Sequence, residues 1–487
     1  MHGHTRRKFL KYAGAGAAAF ALPKWLQAAQ AAATTTGGGR KPNIIFILTD
    51  DLGWAELGCC GNTFNETPHL DRLACQGMRF TDAYSAAPVC SPTRAAFMTG
   101  QWPARIGITD YLRPKDPKFL SPQQYVALPK MLKRGGYATG LIGKWHLMGD
   151  YAQRPGDPKL HGFDEVLCSE SQYIGPGYYY PPYQHMPEVQ PRLGPNEYLV
   201  DRLNLEAVEF IERRKDGPFF LFLSHYAPHT RLVGKPDLVG KYEKKPGAGK
   251  GNGAPRNNPH LAAMLESVDE GVGKVLAKLD ERGLAANTIV VFYSDNGGEA
   301  RVTSNAPLRD GKSSLYEGGI RVPLIVRWPS VVAAAATCGV PVSTVDFYPT
   351  FAAAAGVAPD AGQRIDGVSL LPALRDSAAK LGREALYWHY PLAVPHFLGG
   401  QSAGAVRAGD WKLIRFFPSN QDPAGRFELY NLKDDVGEAR NLAETMPDKV
   451  KQLAALFERF LKDTAAVIPA PAPDRSPGAA KKTQPRE

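Results

Sequence analysis

Two apolar runs of similar length constrain the fold of this chain most strongly. They are Pro42–Thr49 and Thr288–Ser294, and both are continuous and rich in β-branched or aromatic residues. Runs of this kind are typical of parallel strands that are covered on both faces. The first run ends in Asp50-Asp51 and the second in Asp295-Asn296. The two runs therefore predict buried central strands of an α/β sheet, each with polar side chains at its carboxyl end.

Oxygen-bearing side chains at two strand ends indicate a cation site. Open α/β sheets bind their ligands at the carboxyl ends of strands. An acid at one strand end could equally cap a turn, but oxygens at two strand ends, with no soft ligand among them, suit a hard divalent cation. The expected ligands are Asp50, Asp51, Asp295 and Asn296.

Two further strand ends deliver a cation and two imidazoles. Tyr137–Gly143 reads as a short strand that leads into Lys144 and His146, which project to the same side because they are two residues apart. Pro218–His225 reads as a buried strand that leads to His229. Alone, these side chains could form a solvated face. Beside an anion site they could neutralise charge and transfer protons.

A short motif places a thiol and a fixed cation at the start of a helix. The motif is Cys90-Ser-Pro-Thr-Arg94, and the residues after it favour a helix, whose first turn tolerates proline. Cys90 would lie near the positive end of this helix and Arg94 about one turn further on. That geometry suits an anionic ligand, although the pentapeptide alone is equally consistent with an inert buried thiol.

The loops supply further candidates. Lys312 follows a glycine in a loop, and Glu317 and Arg321 after it are expected to form a structural ion pair. Residues 168–187 read as a long loop rich in Tyr and Pro, and residues 231–259 as a flexible excursion. His225 is expected to be supporting or structural. Five side chains could line a substrate pocket, although packing would explain each at least as well: Tyr173, Tyr179, His185, His389 and His396.

The fold class predicted from these patterns is α/β, with a large, mainly parallel sheet flanked by helices and a smaller C-terminal antiparallel sheet plus a helix. Short strands rich in Tyr and Trp begin after about residue 381. We expect a catalytic domain at residues 41–380, a C-terminal subdomain at 381–465 and a disordered tail at 466–487 that is rich in Pro, Ala and Lys.

The positive charge of the chain is concentrated at its two ends. This distribution indicates a targeting signal and does not indicate a nucleic-acid partner. The formal net charge is +10, but the first 33 residues hold five Lys or Arg and no acid. Arg6-Arg7 precedes a short, mildly apolar segment, which predicts a twin-arginine signal peptide at residues 1–31 and a periplasmic or secreted protein. The sequence contains no dense basic stripe of the kind that binds nucleic acid, so we expect no nucleic-acid partner. We also expect no membrane attachment after processing. The six cysteines have no metal-like spacing, and the sequence does not pair them.

Taken in order, these motifs resemble the type I sulfatases of the alkaline-phosphatase-like superfamily. The Cys90–Arg94 motif is similar to the Cys-x-Pro-x-Arg signature of that family, and Gly136–His146 is similar to its second signature. The Asp50-Asp51, Asp295-Asn296 and C-terminal Gly409–Ile414 segments follow in the expected order. The resemblance covers roughly residues 41–465.

The resemblance implies a specific chemistry. It implies that Cys90 is oxidised to Cα-formylglycine by a maturation enzyme, and that the aldehyde hydrate attacks the sulfur of a sulfate ester. It also implies one Ca²⁺ per chain, held by Asp50, Asp51, Asp295 and Asn296 together with the oxygen at position 90. The resemblance implies that Arg94 fixes the hydrate and that Lys144 and Lys312 stabilise charge on the sulfuryl oxygens. It implies proton transfer for His146 and His229.

The expected function is hydrolysis of a sulfate ester, most plausibly on a carbohydrate. His146 is expected to be the base for regeneration of the aldehyde and His229, with Lys312, the acid at the leaving oxygen, although the two histidines could exchange roles. The alternative is a phosphomonoester, phosphodiester or phosphonate hydrolase on the same scaffold. Expected partners are a small sulfate ester, the formylglycine-generating enzyme and the twin-arginine export machinery.

Overall fold

The described chain forms an eight-stranded mixed sheet, a four-stranded antiparallel sheet and a two-stranded sheet. The structure, a computed structural model, describes residues 40–173, 178–251, 253–420, 422–468 and 470. The predicted signal peptide at residues 1–31 and most of the predicted tail at 466–487 lie outside the described residues. The strands run as follows: β1 Asn43–Thr49, β2 Met78–Phe80, β3 Ala83–Tyr84, β4 Ala138–Gly143, β5 Glu165–Leu167, β6 Phe219–Ser224, β7 Thr288–Ser294, β8 Leu324–Arg327, β9 Ala336–Cys338, β10 Val342–Ser343, β11 Leu386–Tyr390, β12 Ala403–Ala408, β13 Trp411–Phe416 and β14 Arg426–Asn431.

The large sheet has the strand order β5-β4-β6-β1-β7-β8-β2-β9. Strand β1 pairs in parallel with β6 and with β7, so that Ile44 lies beside Phe220 and Ile289. Only β8 runs against its neighbours in this sheet. The predicted mainly parallel sheet is therefore confirmed, and the two apolar runs of the sequence are adjacent strands.

Helices cover both faces of this sheet, as the continuous apolar strands require. Ile44 and Phe46 of β1 face one core, and Ile45 and Ile47 face the other. The described α-helices are Pro68–Cys75, Cys90–Thr99, Pro103–Ile106, Leu128–Lys133, Leu199–Arg214, Pro236–Glu243, Pro259–Glu281, Glu317–Ile320, Phe347–Ala355, Leu371–Arg375 and Pro447–Thr464. Short 3₁₀ helices lie at Gly58–Cys60, Pro158–His161, Ala285–Asn287 and Thr344–Asp346. None of the described helices combines the length and apolar character needed to cross a membrane.

The C-terminal sheet has the order β11-β12-β13-β14 and is antiparallel throughout, as predicted. Helix Pro447–Thr464 packs against it, with Phe457 over Gly404, where a side chain would clash with the ring. A third core joins this sheet to residues of the first part of the chain, including Tyr84 and Trp102. The boundary predicted at residue 380 stays a prediction.

A buried ion network also joins the C-terminal sheet to the short helix Glu317–Ile320. Glu317 and Arg321 form the expected pair, with Nη1 of Arg321 3.3 Å from Oε2 of Glu317. The network is larger than predicted, because Lys412 of β13 lies between Glu317 and Glu438, at 2.9 and 2.8 Å. The hydroxyl of Tyr84 donates a further hydrogen bond to Glu317.

Candidate active site

The carboxyl ends of β1 and β7 bring the four predicted oxygen ligands together. The backbone N–H of Asp51 donates to Oδ1 of Asp295 at 3.2 Å, and Nδ2 of Asn296 donates to Oδ1 of Asp51 at 2.7 Å. Adjacent side chains of an extended strand point to opposite faces. Asp51 has a φ of 64°, and this left-handed conformation ends the strand. Asp50 and Asp51 can therefore both reach the same cluster.

Two oxygens of this cluster are buried and have no hydrogen-bond partner among the residues that the structure describes. They are Oδ1 of Asp50 and Oδ1 of Asn296. Buried acceptor atoms nearly always have a hydrogen-bond or metal partner in folded proteins. Each of these oxygens is therefore a candidate ligand for a bound ion. Ligand atoms of Asp50, Asp51, Cys90 and His229 lie within 4.8 Å of one another. The donor set and the two unpaired oxygens fit a divalent cation with hard oxygen ligands.

Cys90 is the first residue of the helix Cys90–Thr99, as the motif predicts. Its thiol is buried beside the acidic cluster. Burial raises the pKa of this thiol to about 12, with Lys144 and Lys312 opposing the rise and Asp50 adding to it. The group therefore stays a protonated thiol near neutral pH. All six cysteines belong to the described part of the chain, and all of them are free there.

Arg94 ties this helix to three strand ends. Its Nε and Nη2 both donate to Oδ2 of Asp295, at 2.9 and 2.7 Å. Its Nη1 donates to the backbone oxygen of Lys144 at 3.0 Å and to Oγ of Ser224 at 2.7 Å. The rigid fork of a guanidinium suits this many-sided contact. Arg94 thus fixes Cys90 relative to β4, β6 and β7.

Two lysines face the two adjacent aspartates. Nζ of Lys144 donates to Oδ2 of Asp50 at 2.5 Å, and Nζ of Lys312 donates to Oδ2 of Asp51 at 2.7 Å. Burial alone would raise the pKa of Asp50, but Lys144 and the neighbouring cations hold that pKa well below its ordinary value. Burial alone would lower the pKa of Lys312, yet Asp51 keeps it above its ordinary value. Both lysines therefore stay charged.

His229 is held in one tautomer. Its Nδ1 lies 2.6 Å from the backbone oxygen of Thr230 and its Nε2 lies 3.0 Å from Nζ of Lys312. Because an ammonium can only donate, Nε2 accepts and the proton lies on Nδ1. Burial, followed by the charge of Lys312, lowers the pKa of His229. His229 is therefore a neutral base in contact with a buried ammonium.

His146 and His225 differ in their surroundings. Nε2 of His146 lies 3.0 Å from the backbone oxygen of Leu112, and its Nδ1 is buried without a partner among the described residues. Burial, then Lys144, lowers the pKa of His146 well below its ordinary value. Both ring nitrogens of His225 are buried and have no hydrogen-bond partner in the described part of the chain, and burial lowers its pKa to about 3. The supporting or structural role expected for His225 stays a prediction.

Glu170, which sequence reasoning missed, supports the backbone at Trp145 and His146. Its buried carboxylate accepts hydrogen bonds from the backbone N–H groups of Trp145 and His146 and from the hydroxyl of Tyr226. His146 has a φ of 57°, so its backbone needs such external support. Glu170 lies in the loop rich in Tyr and Pro, where a single acid has no distinguishing spacing.

The five predicted pocket residues differ in their contacts. The hydroxyl of Tyr179 donates to the backbone oxygens of Tyr226 and His229 and is therefore occupied by the protein itself. Nε2 of His389 lies 3.0 Å from the backbone oxygen of Val467. Among the described residues, both ring nitrogens of His185, Nδ1 of His389 and Nε2 of His396 are buried without a hydrogen-bond partner. Tyr173 lies edge-on to the ring of His146.

Comparison with known proteins identifies the family. The family model Sulfatase matches residues 42–357, which is more than half of the chain. The chain belongs to the sulfatase family. A second model, described as N-sulphoglucosamine sulphohydrolase, C-terminal, matches residues 310–465 of this sulfatase. The expected membership of the formylglycine-dependent sulfatases within the alkaline-phosphatase-like superfamily is thereby confirmed.

Curated relatives and solved structures agree with this assignment. The sulfatase is 32% identical over 475 residues to a steryl-sulfatase of Rattus norvegicus, covering 80% of this chain and 79% of the relative. It is 31% identical over 453 residues to the N-acetylgalactosamine-6-sulfatase of Homo sapiens, covering 81% and 82%. The crystal structure titled Ps i-CgsB in complex with k-i-k-neocarrahexaose superposes with a TM-score of 0.74 at 32% identity, covering 87% of this chain and 94% of the other. The protein is a sulfatase by family.

Proposed function

We propose that this sulfatase removes sulfate from a sulfated carbohydrate, through Cα-formylglycine derived from Cys90 and one Ca²⁺. The observation that carries the proposal is the convergence of Cys90 with three buried cations and an acidic cluster at one edge of the sheet. A sulfate ester is an anion with a tetrahedral centre, and this arrangement surrounds such a group with fixed positive charge.

The cation is assigned to the oxygens of Asp50, Asp51, Asp295 and Asn296, together with the oxygen at position 90. The unpaired Oδ1 atoms of Asp50 and Asn296 support this ligand set. A bound divalent ion supplies Lewis-acid stabilisation of charge and lowers the pKa of a coordinated hydroxyl. Asp295 contributes one further property, because its Oδ2 is already held by Arg94 and cannot turn away from the site.

Formylglycine at position 90 explains how one side chain can act repeatedly. An aldehyde hydrate supplies an oxygen nucleophile that can be regenerated without attack of water on the sulfur. The residues around it have separate tasks. Arg94, bound on three sides, holds the position of residue 90, while Lys144 and Lys312 stabilise the charge on the sulfuryl oxygens.

Proton transfer is assigned to the two histidines. Nε2 of His229 contacts Nζ of Lys312, and this pair can pass a proton to the leaving oxygen of the ester. Nδ1 of His146 has no partner among the described residues, and burial keeps the pKa of this imidazole low and the ring neutral, so Nδ1 is the atom assigned to accept the proton released when the aldehyde reforms. The backbone oxygens of Thr230 and Leu112 orient the two rings.

The carbohydrate substrate is supported by the names of similar proteins. Besides the relative that acts on N-acetylgalactosamine, a structure titled BT4656 in complex with D-glucosamine-2-N,6-O-disulfate superposes with a TM-score of 0.69 at 25% identity. The steryl-sulfatases are the competing comparison. Sulfate release from a panel of sulfated monosaccharides and a sterol sulfate distinguishes the two substrate classes.

The central experiment is peptide mass spectrometry of natively produced protein, combined with a sulfate-release assay. The peptide with residue 90 should show loss of hydrogen sulfide and gain of one oxygen. Cys168 is a matched internal control, because it is also buried and burial likewise raises its pKa to about 12, yet it lies outside the cluster. Active protein with an unmodified Cys90 would overturn the proposal. Cys90→Ala should abolish sulfate release while the protein stays folded.

We also propose export by the twin-arginine route, followed by function in the periplasm or outside the cell. The support is the Arg6-Arg7 pair before the apolar segment of the N-terminus. Replacing both arginines with lysine should retain the protein in the cytoplasm, as measured by fractionation and immunoblotting. Unchanged export of that double variant would refute this route.

A further inference from the structure

A loop of the C-terminal part reaches the active site. Residues 391–402 connect β11 to β12 and contain a turn in which the backbone N–H of His396 donates to the oxygen of Gly400 at 2.8 Å. Gly400 packs directly on Ser313, where an added Cβ would lie 1.9 Å from the backbone oxygen of Ser313. Because Ser313 follows Lys312, this loop is fixed next to the catalytic lysine.

His396 is the buried side chain of this loop. It is 7% exposed, although its neighbour Phe397 is 60% exposed. Its ring stacks on Phe397 with centroids 4.4 Å apart and meets the edge of Tyr111 at 5.5 Å. The loop thus turns this imidazole inward and fixes the plane of its ring.

The hydrogen bonding of His396 determines where its proton lies. The backbone N–H of Leu398 donates to Nδ1 at 3.2 Å, so Nδ1 is an acceptor and the neutral ring carries its proton on Nε2. Nε2 is buried and has no partner among the described residues. Burial, with Lys312 and Arg113 as the next contributions, lowers the pKa of His396 to about 4, and Asp51 and Arg301 also lie within electrostatic range. The ring is therefore neutral near pH 7, with one unused donor.

We propose that His396 is a specificity-determining residue, whose Nε2–H donates a hydrogen bond to an oxygen of the group that carries the sulfate. This inference rests on the proposed sulfatase function and narrows its substrate class. A sugar has hydroxyl oxygens beside its sulfate ester, whereas a sterol or a simple aryl group has apolar carbon there. The donor therefore selects a saccharide over the other sulfate esters.

The physical basis is the cost of an unpaired buried donor. A site built to bond a substrate oxygen rejects analogues that lack the oxygen, because the buried donor then stays unpaired. The fixed ring plane strengthens this selection, since stacking on Phe397 and the bond from Leu398 prevent the imidazole from turning to another acceptor. Lys312 is assigned to the sulfate group. His396 would therefore contact the part of the substrate that is adjacent to the sulfate.

The test compares two substrates in variants of His396. His396→Phe keeps a planar ring and removes the donor, whereas His396→Gln keeps a donor. Val394→Ala is the matched control, because Val394 lies in the same loop and is exposed. Two substrates are compared. The sugar substrate is the one that the wild type hydrolyses best among the 6-O-sulfated forms of galactose, N-acetylgalactosamine and glucosamine, and the aryl ester is para-nitrophenyl sulfate. For His396→Phe the ratio of kcat/KM for the sugar to that for the aryl ester should fall about 10- to 100-fold, with partial recovery in His396→Gln and no change in Val394→Ala.

The outcomes separate this inference from the proposed function. An unchanged ratio in His396→Phe, or an equal fall on both substrates, overturns the assignment of His396 while sulfate release by the wild type still supports the sulfatase. No sulfate release by the wild type from any sugar of the panel overturns the carbohydrate proposal itself. Thermal unfolding of each variant shows that it is folded, and His396→Ala, which also removes the donor, answers the question if the Phe variant is not.

Discussion

Lys412 offers the sharpest test of how the C-terminal sheet is held to the helix Glu317–Ile320. Its ammonium lies 2.9 Å from Glu317 and 2.8 Å from Glu438, and all three side chains are fully buried. Lys412→Met removes the charge and keeps an unbranched apolar side chain of similar length. Glu317 retains the hydroxyl of Tyr84 and the guanidinium of Arg321. Among the described residues, Glu438 retains only the backbone N–H of Glu317 as a hydrogen-bond donor, so it becomes the uncompensated charge.

The expected loss follows from that imbalance. Removing one partner of a buried ion pair costs about 3–5 kcal/mol, because the remaining charge stays buried without compensation. Equilibrium urea denaturation, followed by circular dichroism, measures the free energy of unfolding. Arg415→Met is the matched control, because Arg415 lies on the same strand and is half-buried, and its partner Glu458 is 60% exposed, so that solvent screens the pair. Such a surface pair contributes only about 0–1 kcal/mol.

The pH dependence gives a second check. Burial raises the pKa of Glu438 to about 7; Lys412 opposes this rise and Glu317 adds to it. Since the folded pKa is above the ordinary value, the stability from this proton is complete below about pH 4.5 and is lost as the pH rises through about 7. Removal of Lys412 should therefore cost most above pH 7 and less as the pH falls. A loss below about 1 kcal/mol, or one that grows on acidification, would refute the reasoning.

Three further predictions concern the active site. Glu170→Gln leaves one acceptor oxygen where the carboxylate accepts three groups, so kcat for para-nitrophenyl sulfate should fall about 10- to 100-fold through displacement of His146; an unchanged kcat with a normal pH profile would contradict this role. Ca²⁺ at 100 times its Kd should stabilise the wild type by about 2.7 kcal/mol in thermal unfolding, and Asp50→Asn should lose this response; equal responses would place the ion elsewhere. In Arg94→Lys the ammonium cannot reproduce the contact in which two N–H groups of the guanidinium donate to Oδ2 of Asp295. Sulfate release should therefore fall at least about 100-fold, and the free energy of unfolding should fall by about 3 kcal/mol. Loss of activity without loss of stability would show that this contact is not structural.

The central strands and the site were predictable because their signals are local. The runs Pro42–Thr49 and Thr288–Ser294 are apolar on both faces, and only a strand covered by two layers uses such a run. The polar residues after each strand then have to meet at one edge of the sheet. Cys90 at the first position of its helix follows in the same way from the proline and the helix formers around it.

The remaining features depend on contacts between distant parts of the chain. Glu170 lies 24 residues from the backbone N–H of His146 that it supports, and Lys412 lies 95 residues from Glu317. No spacing rule connects such pairs. The prediction that residues 231–259 form a flexible excursion was wrong for part of this segment. Pro236–Glu243 is a helix that buries Val239 and Tyr242. Two buried side chains in a polar stretch are too weak a pattern to distinguish from a loop.

The charges of the active site connect its metal and its substrate. Three carboxylates face three permanent cations, namely Asp50, Asp51, Asp295, Arg94, Lys144 and Lys312. Lys144 and Lys312 are bound to the same carboxylates that are assigned to the cation. A divalent ion at those oxygens competes with the two ammonium groups, which then face an anionic ester instead of an aspartate. Metal and sulfate ester should therefore bind cooperatively, because each reduces the electrostatic cost of the other. On this reasoning the buried lysines would balance the aspartates before the ion binds and would face the sulfate ester afterwards.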